Sequence, residues 1–252
     1  MVGKAMVVKR RQRGKTSAAA RFTRLLLKWF RAHARPLPWR ETRDPYRVLV
    51  SEFMLQQTQV SRVEEYYPKF LARYPTLEHL ARAKPKAVRE SWEGLGYYAR
   101  ARNLHALAKT VIQHHGSAIP SDPETLQTLP GVGRYTAGAV ASFAFEKREA
   151  AVDTNVKRVL ERAFKGKGER GKGKSKTTLK DIWALAQTIL PAKGRVAWEF
   201  NQALMDLGAT ICVARKPKCP ECPVRRACKT GRNERTRAVR RLGTRASNRP
   251  TD

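Results

Sequence analysis

The feature that most restricts the fold of this 252-residue chain is the spacing of its cysteines. All four lie between positions 212 and 228, in the pattern C-x6-C-x2-C-x5-C. Four thiolates this close together can complete one tetrahedral metal or iron–sulfur site, which requires the chain to fold back around a single point. Two disulfides are the alternative, but they are uncommon in a chain without an export signal. Chemistry alone leaves zinc and iron–sulfur both open. The residues are Cys212, Cys219, Cys222 and Cys228.

The second constraint is charge, because 52 Lys and Arg against 21 Asp and Glu leave a net charge of +31. An excess of this size attracts polyanions, above all nucleic acid. The interval between the first two cysteines contains Arg215, Lys216 and Lys218. We therefore expect the cysteine loop to present cations to phosphates, with a structural and DNA-binding role.

The sequence contains no apolar run of about eighteen residues and no apolar export segment at its start. These observations predict an intracellular protein without a membrane-spanning segment, cytoplasmic or associated with the nucleoid if prokaryotic, and monomeric. An Arg-rich N-terminus without acids is also typical of organelle transit peptides, so the nucleus and organelles stay open.

Apolar residues recur every three or four positions over most of the chain, and alternating patterns typical of strands are scarce. This periodicity predicts an all-α fold. Residues 1–17 are expected to form a disordered basic arm, and residues 21–33 an amphipathic helix. Asp44 and Pro45 provide an N-cap and first position for the next helix. The Gly/Lys/Arg run over 165–176 predicts a solvated loop.

One acid within this second helix requires an explanation. Glu52 lies in the segment VLVSEFMLQQTQV, where most neighbouring side chains are apolar. A Glu on a helix usually faces water. Here at least part of its surroundings should be dry, and desolvation favours the protonated acid that a proton donor requires.

The segment LPGVGRYTAGAVASFAF, residues 129–145, places two glycines before a run with high helical propensity. Gly131 and Gly133 flank Val132, and the amides at the following helix N-terminus can point at an anion such as a DNA phosphate. An ordinary turn between helices, with Gly as a C-cap, is the alternative for Gly-x-Gly alone. The full LPGVG resembles the helix-hairpin-helix element of DNA repair glycosylases.

Seven motifs in fixed order resemble the adenine DNA glycosylase (MutY) family, over roughly residues 20–228. They are LPWR, SEFMLQQTQV, GLGYYARARNLH, LPGVGRYTAGA, VDTNVKRVL, FNQALMDLGA and the cysteine array. The resemblance implies an all-α helix-hairpin-helix fold with DNA in a cleft between two modules. One is a six-helix barrel over 41–149; the other joins residues 18–40 to 150–229 and holds a [4Fe–4S] cluster. A basic tail follows at 230–252.

The implied reaction is hydrolysis of the N-glycosidic bond of an adenine mispaired with 8-oxoguanine or guanine in double-stranded DNA, after that nucleotide is flipped out. Two carboxylates suit this chemistry. Glu52 matches the acid that protonates adenine, and Asp153 matches the carboxylate that stabilises the cationic sugar. Asn155 and Tyr135 match supporting polar groups. Asp153 considered alone is an ordinary helix N-cap.

Position 135 also bears on the reaction type, because strand-cleaving relatives carry a Lys there that forms a Schiff base. Tyr135 therefore predicts a monofunctional enzyme. Other matched residues are expected to contact DNA. Those that fill or test the duplex beside the flipped base are Gln57, Thr58, Leu95 and Tyr97, and those of the adenine pocket are Trp39, Arg40 and Leu55.

Two departures from the family pattern bear on these expectations. The family commonly has Asp-Gly-Asn where this chain has Asp153-Thr154-Asn155, and Thr restricts the backbone. The sequence ends soon after Cys228, where many members continue into a domain that binds 8-oxoguanine, so weaker recognition of that base is expected. A thymine or uracil glycosylase acting on T:G and U:G mismatches is the nearest alternative. A non-catalytic iron–sulfur DNA-binding protein is the alternative from another class.

Overall fold

The computed structural model describes residues 3–165 and 178–232, and over residues 3–17 it describes the backbone alone. Regular secondary structure in these ranges is entirely helical, which confirms the all-α prediction. The helices are α1 (Gly3–His33), α2 (Pro45–Leu55), α3 (Val60–Arg73), α4 (Leu77–Arg82), α5 (Pro85–Glu90), α6 (Ala99–His114), α7 (Pro123–Gln127), α8 (Arg134–Phe143), α9 (Thr154–Leu160), α10 (Leu179–Ile189) and α11 (Gly194–Thr210). Short 3-10 turns occupy Pro38–Arg40, Cys219–Glu221 and Arg225–Ala227, and a π-helical turn occupies Glu161–Lys165.

The chain divides into two compact units. The hairpin unit consists of Arg35–Ala151 and Ala192–Trp198, and the cysteine unit of Met1–Ala34, Val152–Pro191 and Glu199–Asp252. This division differs from the boundaries expected from the sequence in three places. Residues 35–40, 150–151 and 192–198, which were expected in the module with the cysteines, fall in the hairpin unit.

Helix α1 begins much earlier than the sequence suggested. It starts at Gly3, so it includes most of the segment that was expected to be a disordered arm. Residues 3–17 contain no proline and many Lys and Arg residues of high helical propensity, which allows the helix to continue. The predicted loop over 165–176 falls almost entirely outside the described residues, as does most of the basic tail.

Helix α2 of the hairpin unit begins where its capping residues predict. The Asp44 carboxylate accepts a hydrogen bond from the Arg47 amide at 2.8 Å, and Pro45 occupies the first helical position. The helix ends at Leu55, because Gln56 is not helical and Gln57 has a left-handed backbone with φ of 57°. Side chains at 48–54 are buried all around the helix, which is therefore a core element.

The other helices of the hairpin unit surround this core helix. Helix α2 contacts α3, α6 and α8, while α4 and α5 pack on α6. In α3 the buried residues Val63, Tyr67 and Phe70 recur at helical spacing, and this apolar stripe faces the core. In this arrangement the C-terminal end of α2 lies beside two connecting segments. One joins α2 to α3, and the other joins α5 to α6.

The cysteine unit is built on α1, α9, α10 and most of α11. Phe22 and Leu26 of α1, Ile182 of α10 and Phe200 of α11 are buried. Helix α10 begins with a capping box, in which the side chains of Thr178 and Asp181 each accept a hydrogen bond from the other residue's backbone amide. Within the described ranges, no helix combines the length and the apolarity that a membrane crossing requires.

Candidate functional site

Glu52 lies in the last turn of α2 and is only 4% exposed to solvent. Its neighbours Phe53 and Met54 are fully buried, and its Oε2 atom is inaccessible to water. The dry surroundings that the sequence predicted for this acid are therefore present. A carboxyl in such a place is unusual, because Glu is seldom fully buried in a protein core.

Two connections near the end of α2 carry the residues predicted to fill or test the duplex beside the flipped base. Gln57 follows the end of α2, and Tyr97 precedes α6; both are exposed and both have left-handed backbones. Leu55 and Thr58 are half-buried. Leu95 differs from these residues, because its side chain is buried in the hairpin unit.

Trp39 and Arg40, predicted for the adenine pocket, lie in the 3-10 turn before α2. The Trp39 ring is buried and meets the Tyr67 ring edge to face, with centroids 5.6 Å apart. The Arg40 side chain is half-buried and donates to the carbonyl oxygen of Arg35 at 3.2 Å. Trp39 therefore has a packing role whatever its role towards a base.

The hairpin between α7 and α8 approaches α2 closely at Gly131. This residue has φ of 76°, and a Cβ there would lie 2.7 Å from Asn103 Cβ and 3.0 Å from Phe53 Cε1. Only glycine fits this backbone and this space. Gly133 is different, because it has an extended backbone and open space around it. Val132 is buried, and Tyr135 lies half-buried in the first turn of α8.

Asp153 is the N-cap of α9 in the cysteine unit, as its alternative interpretation required. Its Oδ1 accepts from the Val156 amide at 2.6 Å, and its Oδ2 accepts from Asn155 Nδ2 at 3.0 Å. Thr154 occupies an ordinary helical position, so the departure from Asp-Gly-Asn requires no left-handed backbone here. The two oxygens of one carboxylate thus have separate partners, a backbone amide and a side-chain amide.

Arg158 joins this acid to the cysteine loop. Its Nη2 donates to Asn155 Oδ1 at 2.6 Å and to the Gly208 carbonyl at 2.7 Å, while its Nε donates to the Cys212 carbonyl at 2.8 Å. Gly208 is required for this approach, because a Cβ would lie 2.7 Å from Asn155 Cβ. A continuous hydrogen-bonded path therefore runs from Asp153 to the first cysteine.

Arg162, in the π-helical turn after α9, holds the next part of the loop. Its Nη1 donates to the Cys212 carbonyl at 3.1 Å and to the Val213 carbonyl at 2.7 Å, and Nη2 donates to the Ala214 carbonyl at 3.0 Å. The backbone oxygen of Arg162 in turn accepts from the Thr230 hydroxyl at 2.9 Å. The π-helical turn thus presents one arginine to both ends of the cysteine segment.

The four cysteines line one cavity of the cysteine unit, together with apolar side chains such as Phe22 and Leu207. All four are free thiols, so the disulfide alternative does not apply. Burial raises the pKa of Cys222 to about 12, so only an electropositive centre would hold it as a thiolate near neutral pH. Among the described residues, no three His, Cys, Asp or Glu side chains are close enough together to bind one metal ion.

The cations of the cysteine loop point away from this cavity. Arg215, Lys216 and Lys218 are all exposed, and Lys216 has a left-handed backbone with φ of 50°. The loop therefore presents three positive charges to solvent while its cysteines face inward. This is the arrangement expected for a loop that binds a polyanion.

Sequence reasoning missed three arginines that organise the site, namely Arg100, Arg158 and Arg162. Each was counted only as part of the overall positive charge. A signal was available for Arg100, because it occurs among the buried positions of α6, most of which are apolar. An arginine in such a position has to find acceptors for its donors.

Residues 50–185 match the family model described as HhH-GPD superfamily base excision DNA repair protein. Curated proteins named adenine DNA glycosylase are also similar. The one from Mycobacterium tuberculosis strain H37Rv is 46% identical over 79% of this chain and 64% of its own length. The one from Homo sapiens is 45% identical over 81% of this chain and 38% of its own. The chain thus spans about two fifths to two thirds of the relatives it matches.

Solved structures agree with these similarities. A thermostable thymine-DNA glycosylase superposes with a TM-score of 0.79 at 34% identity, covering 87% of this chain and 99% of the other. A trapped covalent complex of endonuclease III with DNA superposes with a TM-score of 0.70 at 25% identity, covering 84% and 94%. The family match covers more than half of the sequence, from within α2 to within α10, and includes the hairpin. The chain belongs to the HhH-GPD superfamily of base excision DNA repair proteins.

Proposed function

We propose that this chain is an adenine DNA glycosylase, which hydrolyses the N-glycosidic bond of adenine mispaired with 8-oxoguanine or guanine in double-stranded DNA. The observation that carries the proposal is the enclosed carboxyl of Glu52, in a family whose members repair DNA bases. The identity of 45–46% with curated adenine DNA glycosylases supports adenine as the base.

Glu52 is the proton donor in this proposal. Adenine is a poor leaving group unless a ring nitrogen is protonated as the glycosidic bond breaks, and a positioned acid accelerates such a step. The carboxyl lies in an apolar part of the hairpin unit, so a bound base would complete its separation from water. The exposed Gln57 and Tyr97 beside it would contact the distorted duplex while the target nucleotide is flipped out.

Asp153 is the anion that stabilises the cationic sugar. Asn155 and the Val156 amide each donate a hydrogen bond to one of its two oxygens and so fix the orientation of the carboxylate. A fixed carboxylate stabilises positive charge that develops on the sugar without any reorganisation at the moment of bond breaking. A water molecule then completes the hydrolysis.

Tyr135 supports a monofunctional reaction. A tyrosine at this position offers no amine that could attack the sugar and form a Schiff base. Endonuclease III, by contrast, has been trapped as a covalent intermediate with DNA. We propose base excision without strand cleavage.

The four cysteines would hold a [4Fe–4S] cluster, which supplies four metal centres to bind their sulfurs and so stabilises the loop. The common cavity supports this assignment. The C-x6-C-x2-C-x5-C spacing, which resembles the [4Fe–4S] loop of the endonuclease III and adenine glycosylase superfamily, favours the cluster over zinc.

DNA is the partner that the charge distribution supports. The exposed Arg215, Lys216 and Lys218 would neutralise backbone phosphates, and the amides after Gly133 at the start of α8 would bind another. Such contacts release counterions, so we expect the affinity for DNA to fall steeply with added salt.

A thymine or uracil glycosylase acting on T:G and U:G mismatches is the second candidate. The observation that favours it is the superposition on a thermostable thymine-DNA glycosylase, which is covered over 99% of its length. The two candidates differ in the base that the pocket beside Glu52 accepts, because pocket contacts determine specificity.

One panel of duplexes tests both candidates. Single-turnover excision would be measured on A:8-oxoguanine, A:G, T:G and U:G pairs, with a fully paired duplex as the blank. The proposal predicts the highest rate on one of the two adenine pairs. A highest rate on T:G or U:G would replace it with the second candidate, and binding without excision of any base would favour the non-catalytic alternative.

A further inference from the structure

The two exposed segments beside Glu52 have backbones that require support. In residues 94–97 three positions have positive φ, namely Gly94 at 88°, Gly96 at 70° and Tyr97 at 48°, and Gln57 in the other segment has 57°. The left-handed region is sterically unfavourable for a residue with a side chain. Such residues persist only where the surrounding structure over-determines them.

One buried side chain contacts both segments. Arg100 of α6 is 6% exposed, and its Nη2 donates to the carbonyl oxygens of Leu95 and Gly96, both at 3.0 Å. Its Nη1 lies within hydrogen-bond distance of a second set of oxygens, in the last turn of α2 and the residues that follow. These are Phe53 O at 3.0 Å, Met54 O at 2.7 Å, Gln56 O at 2.5 Å and Thr58 Oγ1 at 3.0 Å.

The placement of the positive charge fits this role. The carbonyls at the C-terminal end of a helix carry partial negative charge and accept from nearby cations, so the guanidinium of Arg100 stabilises the end of α2. Its Cζ atom also lies 5.5 Å from the Trp92 ring centroid and 5.7 Å from that of Tyr97. The Arg100 guanidinium therefore contacts the exposed Tyr97 ring as well as the backbone oxygens of Leu95 and Gly96.

We propose that Arg100 is a positioning residue that holds residues 56–58 and 94–97 together as one preformed surface for testing a base pair. The inference rests on the proposed function, because it assigns the DNA contacts to Gln57 and Tyr97. A planar guanidinium offers donors in two directions at fixed separation, whereas a lysine ammonium is a single point. Lysine at position 100 would keep the charge but serve only one of the two segments.

The first test measures mismatch preference, defined as the affinity for an A:8-oxoguanine duplex divided by that for a fully paired duplex. Binding is measured in a Glu52→Gln background, to prevent turnover. In that background, Arg100→Lys should lower the mismatch preference at least about tenfold. With Glu52 intact, it should lower the single-turnover rate on the order of 100-fold, because small displacements near a reacting group are costly. Affinity for paired DNA should change less than about twofold, since phosphate contacts dominate it.

The matched control is Arg102→Lys, an exposed arginine two residues further along α6. It should leave mismatch preference and rate unchanged. A second comparison places Arg100→Lys in a Tyr97→Ala background. If the arginine acts through Tyr97 and its segment, Arg100→Lys should change mismatch preference much less in the Tyr97→Ala background than in a background with Tyr97 intact. Equal effects in both backgrounds would overturn the inference.

The second test requires no substrate. Hydrogen exchange is followed in the full protein and in Arg100→Lys, with Arg100→Met as a more severe variant. Amides of residues 56–58 and 94–98 should exchange at least about tenfold faster in Arg100→Lys, while those of 104–111 in the core of α6 keep their protection. Uniformly faster exchange, or no local change, would show ordinary core packing and overturn the inference.

The two tests separate the inference from the proposed function. If the wild-type protein excises none of the four mismatched bases, the proposed function fails while the exchange experiment still decides whether Arg100 holds the two segments. If excision occurs and exchange in both segments is unaffected by Arg100→Lys, the positioning role fails while the function stands.

Discussion

Arg158 Nε donates to the backbone oxygen of Cys212 at 2.8 Å, while the same guanidinium binds Asn155 at 2.6 Å. These contacts connect the first cysteine with the partner of Asp153 through a single side chain. Arg158 thus orients two groups whose proposed roles differ, one structural and one in the reaction.

We expect Arg158→Met to affect both groups. Loss of donors to partly buried oxygens should lower the free energy of unfolding by about 2–4 kcal/mol, and the excision rate should fall at least about tenfold as Asn155 loses its orientation. Thermal unfolding and single-turnover kinetics would measure these changes. Lys157→Met, which removes a half-exposed i,i+4 ion pair with Glu161, is the control and should cost no more than about 1 kcal/mol. Equal behaviour of the two variants would contradict the prediction.

Glu52→Gln should reduce single-turnover excision by about 100- to 10,000-fold, the contribution of a positioned general acid. The amide is nearly the same size as the carboxyl, so folding and DNA affinity should be retained. Circular dichroism and equilibrium binding would verify this. Glu64→Gln, at an exposed position on α3, should keep the wild-type rate. An active Glu52→Gln variant would rule out the proton-donor role.

Asp153→Asn separates the helix cap from the reaction. Asparagine caps helices about as well as aspartate, so the free energy of unfolding should change by less than about 1 kcal/mol. The rate should nevertheless fall on the order of 100- to 1,000-fold, because the negative charge is lost. Asp122→Asn, the same substitution at the N-cap of α7, is the matched control. A rate that follows stability alone in both variants would leave Asp153 only its capping role.

The two hairpin glycines should respond differently to alanine. Gly131→Ala meets both an unfavourable φ and a contact of 2.7 Å, and should lower the free energy of unfolding by about 2–4 kcal/mol. Gly133→Ala has space and an extended backbone, so its cost should stay below about 1 kcal/mol. Denaturant titration of both variants measures the difference. Similar costs would mean that the hairpin relaxes at Gly131.

We expect the purified protein to be brown and to absorb at about 400 nm, because iron–sulfur clusters bound by thiolates absorb there. Cys222→Ser should lower both this absorbance and the iron content measured by elemental analysis. A colourless protein that contains one zinc per chain would contradict the cluster assignment.

Local sequence signals predicted the helices, because caps and apolar periodicity act within a few residues. Asp44 with Pro45 correctly gave the start of α2, and the apolar neighbours of Glu52 correctly gave a dry environment. Asp153 was recognised both as a cap and as a candidate for the reaction, and the structure displays the cap directly. The predicted start of α1 was too late, because the positive charge of residues 1–17 was taken to indicate disorder in spite of their helical propensity.

Contacts between distant parts of the chain could not be predicted in this way. The left-handed backbones of Gln57 and Tyr97 depend on Arg100, which is separated from Gln57 by more than forty positions. The burial of Leu95 and the partners of Arg158 likewise arise from tertiary packing. Motif matching assigned Gln57, Thr58, Leu95 and Tyr97 to DNA contact, and it did not single out the arginine that contacts both of their segments.

Five of the six oxygens around Arg100 belong to the main chain, with the Thr58 hydroxyl as the sixth. Side chains at positions such as Met54, Gln56 and Leu95 can therefore diverge in evolution without removing an acceptor. The arginine has no comparable freedom, because its planar guanidinium donates to both segments at once. A pocket built this way can be adapted to a different base by substitutions in the segments, while the frame that holds them is inherited unchanged.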